Sequence, residues 1–164
     1  MKEVLLILLG FILGQLPDWI KRKRILKAHW NAIWAEVNID RVLALKYMDD
    51  KVAAPLYRLP TDVYDNSFPA LLSEGNLEPK EVAEISIFFN LVKEINRGLD
   101  NVAEMHKTND TEKLEAEYSR NLEKANMLVD ISREKIDPII RKYPQPFKDN
   151  IEKQFRRFLN RKHL

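Results

Sequence analysis

The sequence predicts an all-α protein: an N-terminal transmembrane helix followed by an antiparallel helical bundle of three long helices and one short helix. Three observations carry that expectation. Apolar residues recur at steps of three and four through most of the chain, the spacing of one helical face. Residues 4–14 carry no polar side chain at all and are followed by a cluster of Lys and Arg. No stretch alternates apolar and polar residues as a half-buried strand does. At 164 residues, with 45% hydrophobic and 32% charged residues, the chain is long and apolar enough to bury one core. It has no cysteine, which excludes disulfides, thiolate zinc sites and cysteine nucleophiles together.

The first element runs from Val4 through Ile20. Apolar character surrounds this segment, so it does not read as an amphipathic helix lying in the interface. As a helix it spans roughly 25 Å, a little under the ~30 Å hydrocarbon core, a gap that local thinning or snorkelling of Lys and Arg closes. A cleaved signal peptide puts its positive charge before the apolar stretch and a small-x-small site after it, whereas here most of the positive charge comes after the stretch and no such site follows. A buried core helix is the other reading compatible with an eleven-residue apolar run. Trp19, followed by Lys21, Arg22, Lys23 and Arg24, has the makeup of an interfacial anchor, and Lys2 is the one basic residue ahead of the span. The positive-inside rule then places the N-terminus outside and everything after Ile20 in the cytoplasm. Residues 1–24 are the expected membrane anchor and basic stop, and residues 25–164 the expected cytoplasmic bundle.

In the bundle, Leu26, Trp30, Ile33, Val37, Ala44 and Met48 mark a helix from about residue 18 to 49, with Pro17 as the one breaker between it and the span. Residues 50–78 have a different texture. Pro55, Pro60, Pro69 and Gly75 argue against one long helix, and Thr61 and Ser67 are candidate N-caps of short turns. The segment is nevertheless too apolar for a free linker and is expected to wrap onto the helices. Pro79 opens the second long helix, whose stripe is Val82, Ile85, Phe88, Phe89, Val92, Asn96, Leu99 and Ala103. A polar break at residues 107–111 leads to the third, from Leu114 to Tyr143, with a bend expected at Pro138. So short a connection makes these two helices antiparallel neighbours. Phe147, Ile151, Phe155 and Phe158 outline the short last helix.

Charge is divided along the chain. Residues 1–30 carry +4, residues 31–143 carry −6 and residues 144–164 carry +4. Basic ends around an acidic body suit an anionic surface, and the oily leader makes that surface a bilayer rather than nucleic acid. Arg156, Arg157, Arg161 and Lys162 in the basic amphipathic tail are expected either to lie along the same membrane surface, where each cation contributes ~1 kcal/mol, or to form a solvated helix end.

Catalytic constellations do not emerge, and no enzymatic activity, cofactor or metal site is expected. His29, His106 and His163 lack ligand spacing, no nucleophile elbow surrounds a serine, and four glycines form no phosphate loop. The residues that invite attention are Asn96, Arg97 and Asp100, together with Tyr57, Arg58 and Tyr64 from the irregular segment. Asn96 falls on an apolar stripe, where a buried amide needs partners, and the irregular segment has backbone groups to satisfy. Gly98 sits mid-helix at a cost of ~1 kcal/mol, which points to close approach of another backbone. Arg97 and Asp100 are placed to pair with each other or to reach Arg58. These residues either pin the wrapped segment to the helix or form a small docking site there.

The strings Ala-Pro-Leu-Tyr-Arg-Leu-Pro-Thr at 54–61, Tyr64 with Phe68-Pro69-Ala70-Leu71-Leu72 and Gly75, and Asn96-Arg97-Gly98-Leu99-Asp100 resemble small bacterial single-span membrane proteins of unknown function, over about residues 50–101. The resemblance implies a bacterial inner-membrane protein and supplies no activity. The expected function is a noncatalytic, membrane-anchored module that binds another protein. The alternative is a regulatory or sensory bundle that takes a small ligand at the loop–helix junction.

Overall fold

A computed structural model describes residues 2–50, 58–74, 77–108 and 111–143, with side chains from residue 17 onward except those of Asp50 and Thr108. All of its regular structure is helical: α1 (Lys2–Asp50), α2 (Asp62–Ser73), α3 (Pro79–Thr108), α4 (Thr111–Ile131), a single π-helical turn (Ser132–Ile136) and α5 (Asp137–Lys142). The expected short helix over Phe147–Phe158 lies outside the described residues.

Side-chain pairings fix the topology. Glu94 meets Lys124, Gly98 meets Asn121 and Asn101 meets Glu117, so numbers rise on α3 as they fall on α4. Tyr47 meets Tyr118, Arg41 meets Asp137 and Trp30 meets Tyr143, so α4 and its continuation also run against α1. On the other side, Glu36 meets Val63 while His29 meets Ser67, and Tyr64 meets Phe89, so α2 is antiparallel to both α1 and α3. The result is an up-down-up-down bundle in which α1 and α3 are parallel, with α2 and α4 each spanning the pair.

The core is continuous through all of these elements. Ile33, Val37, Ala44 and Tyr47 of α1 face Phe68 and Leu71 of α2, Phe88, Val92 and Ile95 of α3, and Ala125 and Leu128 of α4, each of them buried. Fully burying such side chains contributes roughly 1.5–3 kcal/mol apiece, which is what holds a chain of short connections together.

Two elements depart from the sequence expectation. Pro17 lies inside α1 and does not end it: one helix runs from Lys2 to Asp50. The segment expected to be irregular contains a regular twelve-residue helix, α2, with Pro69 inside it. Thr61 occupies the N-cap position but makes no side-chain cap bond. The cap comes from another helix: the Val63 and Tyr64 N–H groups donate to Glu36 Oε1 and Oε2 at 2.9 and 2.6 Å. A carboxylate at a helix N-terminus satisfies orphan donors and complements the dipole, and here it does so across 27 residues of sequence. Ser67 caps nothing; it is buried mid-helix and hydrogen-bonded to His29 Nδ1 at 3.1 Å.

The third long helix is interrupted ahead of Pro138, where a bend was expected, by a π-helical turn. Proline lacks the N–H and clashes with the carbonyl four residues back, and a π-helical turn widens the ladder by one residue just ahead of it. Pro138 then occupies the first turn of α5, where the missing N–H costs little. Among the described residues, no helix is long and apolar enough to cross a membrane. Most of the expected span, Val4 to Leu16, falls on residues whose side chains lie outside the described set.

Candidate functional site

The junction between the extended residues 58–61 and α3 is built around one amide. Asn96 is 8% exposed; its Nδ2 donates to the Leu59 carbonyl and its Oδ1 accepts from the Leu59 N–H, both at 2.8 Å. An asparagine side chain carries the same donor–acceptor pair as a peptide group, so it completes the hydrogen bonding of a backbone that no strand or helix satisfies. Leu59 is thereby held with its side chain in the core, 2% exposed. One turn along α3, Arg58 Nη1 and Nη2 donate to the two Asp100 oxygens at 3.2 and 3.0 Å. Both residues are more than half exposed, so this pair orients more than it stabilises. Lys93 Nζ donates to Asp65 Oδ1 at 2.8 Å on the opposite side of Asn96.

Between these clamps lies an open groove of about 530 Å³, lined by the extended residues 58–61, by Asp62 at the start of α2 and by Lys93, Asn96, Arg97 and Asp100 of α3. Four of the six residues singled out from the sequence therefore come together: Arg58, Asn96, Arg97 and Asp100. Tyr64 does not join them. Its ring is stacked between Phe68 and Phe89, at centroid distances of 4.8 and 4.2 Å, with Lys93 Nζ 5.3 Å from its centroid. Tyr57 lies outside the described residues. The Arg97–Asp100 pair does not form: Asp100 goes to Arg58, and Arg97 makes no ion pair among the described residues. The neighbour that Gly98 admits is a side chain rather than a backbone, for a Cβ there would sit 2.0 Å from Asn121 Oδ1.

A second concave region lies between α1, around Trp19 to Trp30, and the end of α5. It measures about 510 Å³ and is lined almost wholly by apolar surface, from Ile20, Leu26, Trp30 and Tyr143 among others. Trp30 and Tyr143 are stacked, with centroids 4.2 Å apart and planes 14° from parallel. Trp19 stands at this end, 57% exposed, with Lys23 Nζ over its ring at 3.9 Å. Lys21, Arg22, Lys23 and Arg24 are all exposed on α1. The tail cations Arg156, Arg157, Arg161 and Lys162 lie outside the described residues.

Tyr143 is itself anchored. Its hydroxyl donates to Glu81 Oε2 at 2.7 Å, while Lys142 Nζ donates to Glu81 Oε1 at 2.9 Å. Burial pushes the Glu81 carboxyl up, but Lys142, the Glu78 N–H and Tyr143 together outweigh it and hold the group below its ordinary value. Tyr143 is pushed up to about 12 by burial and by the neighbouring Glu81.

The interior holds polar groups that the sequence reading passed over. Asp40 is completely buried on α1, and neither carboxyl oxygen has a partner among the described residues. Burial, reinforced by the nearby charge of Glu36, pushes it up to about 9, so it is protonated at neutral pH. Burial also raises Glu36, outweighing its two backbone bonds to Val63 and Tyr64. Further along, Asn121 and the Tyr47 and Tyr118 hydroxyls are buried without hydrogen-bond partners of acceptable geometry. A signal for these residues exists in the sequence. Asp40 fills the step between Val37 and Ala44, and Asn121 the step between Tyr118 and Ala125, so each stands on a stripe of its helix.

Among the described residues, no group of three His, Cys, Asp or Glu side chains converges as a metal site would require. Compared with known protein families, with curated proteins and with solved structures, the chain matches none.

Proposed function

We propose that this chain is a membrane-anchored, noncatalytic helical module that binds another protein through the groove at Arg58, Asn96, Arg97 and Asp100. The observation that carries the reading is the single helix from Lys2 to Asp50. One end of it holds the apolar run and the basic cluster; the other contributes Ile33, Val37, Ala44 and Tyr47 to the bundle core. A helix shared in this way fixes the bundle to the bilayer with no flexible linker between them. The groove then stands at a set height and angle, which is the property a docking module needs and a freely tethered domain lacks. In keeping with the resemblance noted above, the membrane is a bacterial inner membrane. The N-terminus is outside and the body cytoplasmic, following the charge asymmetry about the span.

Arg97 supports the choice of groove. It is an exposed guanidinium with no ion pair among the described residues, between two clamps that fix the surfaces on either side. Such a group is suited to an acidic side chain or a C-terminal carboxylate of a partner. A photo-crosslinking residue at Lys93, in membranes from cells making the full chain, is expected to give a discrete crosslinked product that Arg97→Glu abolishes. A product that survives the charge reversal contradicts the assignment of the groove.

A small anionic ligand at the same place is the second reading, favoured by the groove's volume and its combination of Arg58, Lys93 and Arg97. It predicts a thermal shift of the detergent-solubilised chain with carboxylate compounds, which Arg97→Glu removes. Asn96→Ala serves as the control in both cases, because loss of its two backbone bonds is a loss of stability, about 2–4 kcal/mol, rather than of recognition alone.

A further inference from the structure

Charge is arranged in rungs across the groove at Asn96. One wall, residues 58–61 and the first turn of α2, presents Arg58, Asp62 and Asp65 in order, and α3 presents Asp100, Arg97 and Lys93 in the reverse order. The outer two rungs are closed: Arg58 meets Asp100 at 3.0 Å and Asp65 meets Lys93 at 2.8 Å. The middle one is not. Asp62 and Arg97 both line the groove, both are exposed, and neither makes an ion pair among the described residues. Nor does the Asp62 carboxylate serve as the cap of α2. The Val63 and Tyr64 N–H groups donate to Glu36, and the hydrogen bond that Asp62 accepts from Asn66 Nδ2 falls on its backbone carbonyl.

We infer that the groove recognises a dipolar segment of the partner, with a basic residue set against Asp62 and the adjacent acidic residue set against Arg97. This inference rests on the docking reading proposed above and specifies the partner's chemistry. Charge complementarity selects it. An anion alone would meet Arg97 but would also face Asp62, and like charges brought together oppose binding. A segment that supplies both signs completes the middle rung from within. Direct closure of Asp62 on Arg97 is a weak competitor, because an exposed ion pair gains little over two hydrated charges. Geometry sets the spacing. Along an extended segment lying in the groove, successive side chains point to opposite sides, so an adjacent base and acid reach the two walls. The same pair two residues apart would point to one wall. Both walls are already held in place, by Asn96 on the Leu59 backbone and by the closed rungs on either side.

The probe is the blocked peptide acetyl-Gly-Lys-Glu-Gly-amide, titrated into the full-length protein in detergent micelles while the backbone amides around the groove are followed by NMR. Saturable shifts of these amides are expected. Replacing the peptide's Lys or its Glu by Gln weakens binding by about two- to fivefold each, the range of an exposed ion pair. Asp62→Asn abolishes the effect of the peptide's Lys, and Arg97→Gln that of its Glu, whereas the crossed combinations stay additive. The spaced peptide acetyl-Gly-Lys-Gly-Glu-Gly-amide binds no better than the singly charged ones. Absence of saturable shifts overturns the inference, as does binding that ignores Asp62→Asn or that is equal for the spaced peptide. Thermal unfolding supplies a second check: Asp62→Asn and Arg97→Gln are expected to act additively, and strong coupling between them, which means that the rung closes on itself, overturns the inference. A crosslinked product at Lys93 that Arg97→Glu abolishes but Asp62→Asn leaves intact defeats the dipolar partner and keeps the docking reading. The absence of any product defeats the docking reading and this inference with it.

Discussion

Two buried residues define what single side chains do in this bundle. Gly98 and Asn121 occupy the same space between α3 and α4, where even a methyl group at 98 would overlap the amide. Gly98→Ala is expected to destabilise the fold by about 1–3 kcal/mol, the usual range for overpacking. Asn121→Ala in the same chain should recover most of that loss, and a double-mutant cycle by chemical denaturation measures the coupling. Asp40 makes the complementary case. Its folded-state pKa, raised to about 9, lies well above that of an unfolded aspartate, so the stability associated with the protonated form is fully present below about pH 4. That stability is lost progressively as pH rises toward 9. Asp40→Asn should therefore be the more stable protein at pH 8, by about 1–4 kcal/mol, and should unfold with a flatter pH dependence. Asn96 was legible in the sequence because an amide on an apolar stripe calls for partners. Asp40 and Asn121 stand on equally good stripes, but the eye follows apolar residues and steps past a polar one. What distinguishes them is that no local partner satisfies them, which spacing alone does not reveal.

At the scale of elements, α2 shows how tertiary contacts decide what local propensity leaves open. Its prolines read as helix breakers, yet Pro55 and Pro60 precede the helix and Pro69 alone lies inside it. Phe68 and Leu71 are drawn into the core, and Glu36 of α1 caps the first turn. Since no residue near α2 in sequence supplies that cap, the helix could not be read from its own segment. Glu36→Ala should release it. Loss of a cap costs about 0.5–2 kcal/mol, and amide exchange at Val63 and Tyr64 should accelerate well before exchange in α3 does. If exchange stays uniform across the bundle, the cap contributes less than its geometry implies. By contrast, a perturbation of the helix around Pro138 was foreseeable from the missing N–H, and its form, a π-helical turn, required the structure. The boundary between α3 and α4 was equally visible, because a polar break between two strong stripes has few alternatives.

For the molecule as a whole, the antiparallel relation of α3 and α4 followed from their short connection, and the all-helical class from periodicity. The order of packing did not follow, because a twelve-residue α2 bridging α1 and α3 depends on Glu36, Ser67 and Asn96 acting across the chain. The consequence for function lies in α1, which belongs to the apolar leader and the bundle core at once. On the proposed anchoring, movement of the bundle relative to the bilayer would have to bend or turn this helix, which would couple the Arg97 groove to the Trp19 end. The central claim is that the leader holds the chain in the membrane, and alkaline carbonate extraction of membranes containing the full-length protein tests it most directly. The account predicts that the intact chain, still beginning at Met1, remains in the pellet and is released only by detergent. Recovery in the carbonate supernatant, or of a chain shortened at its N-terminus, would contradict it.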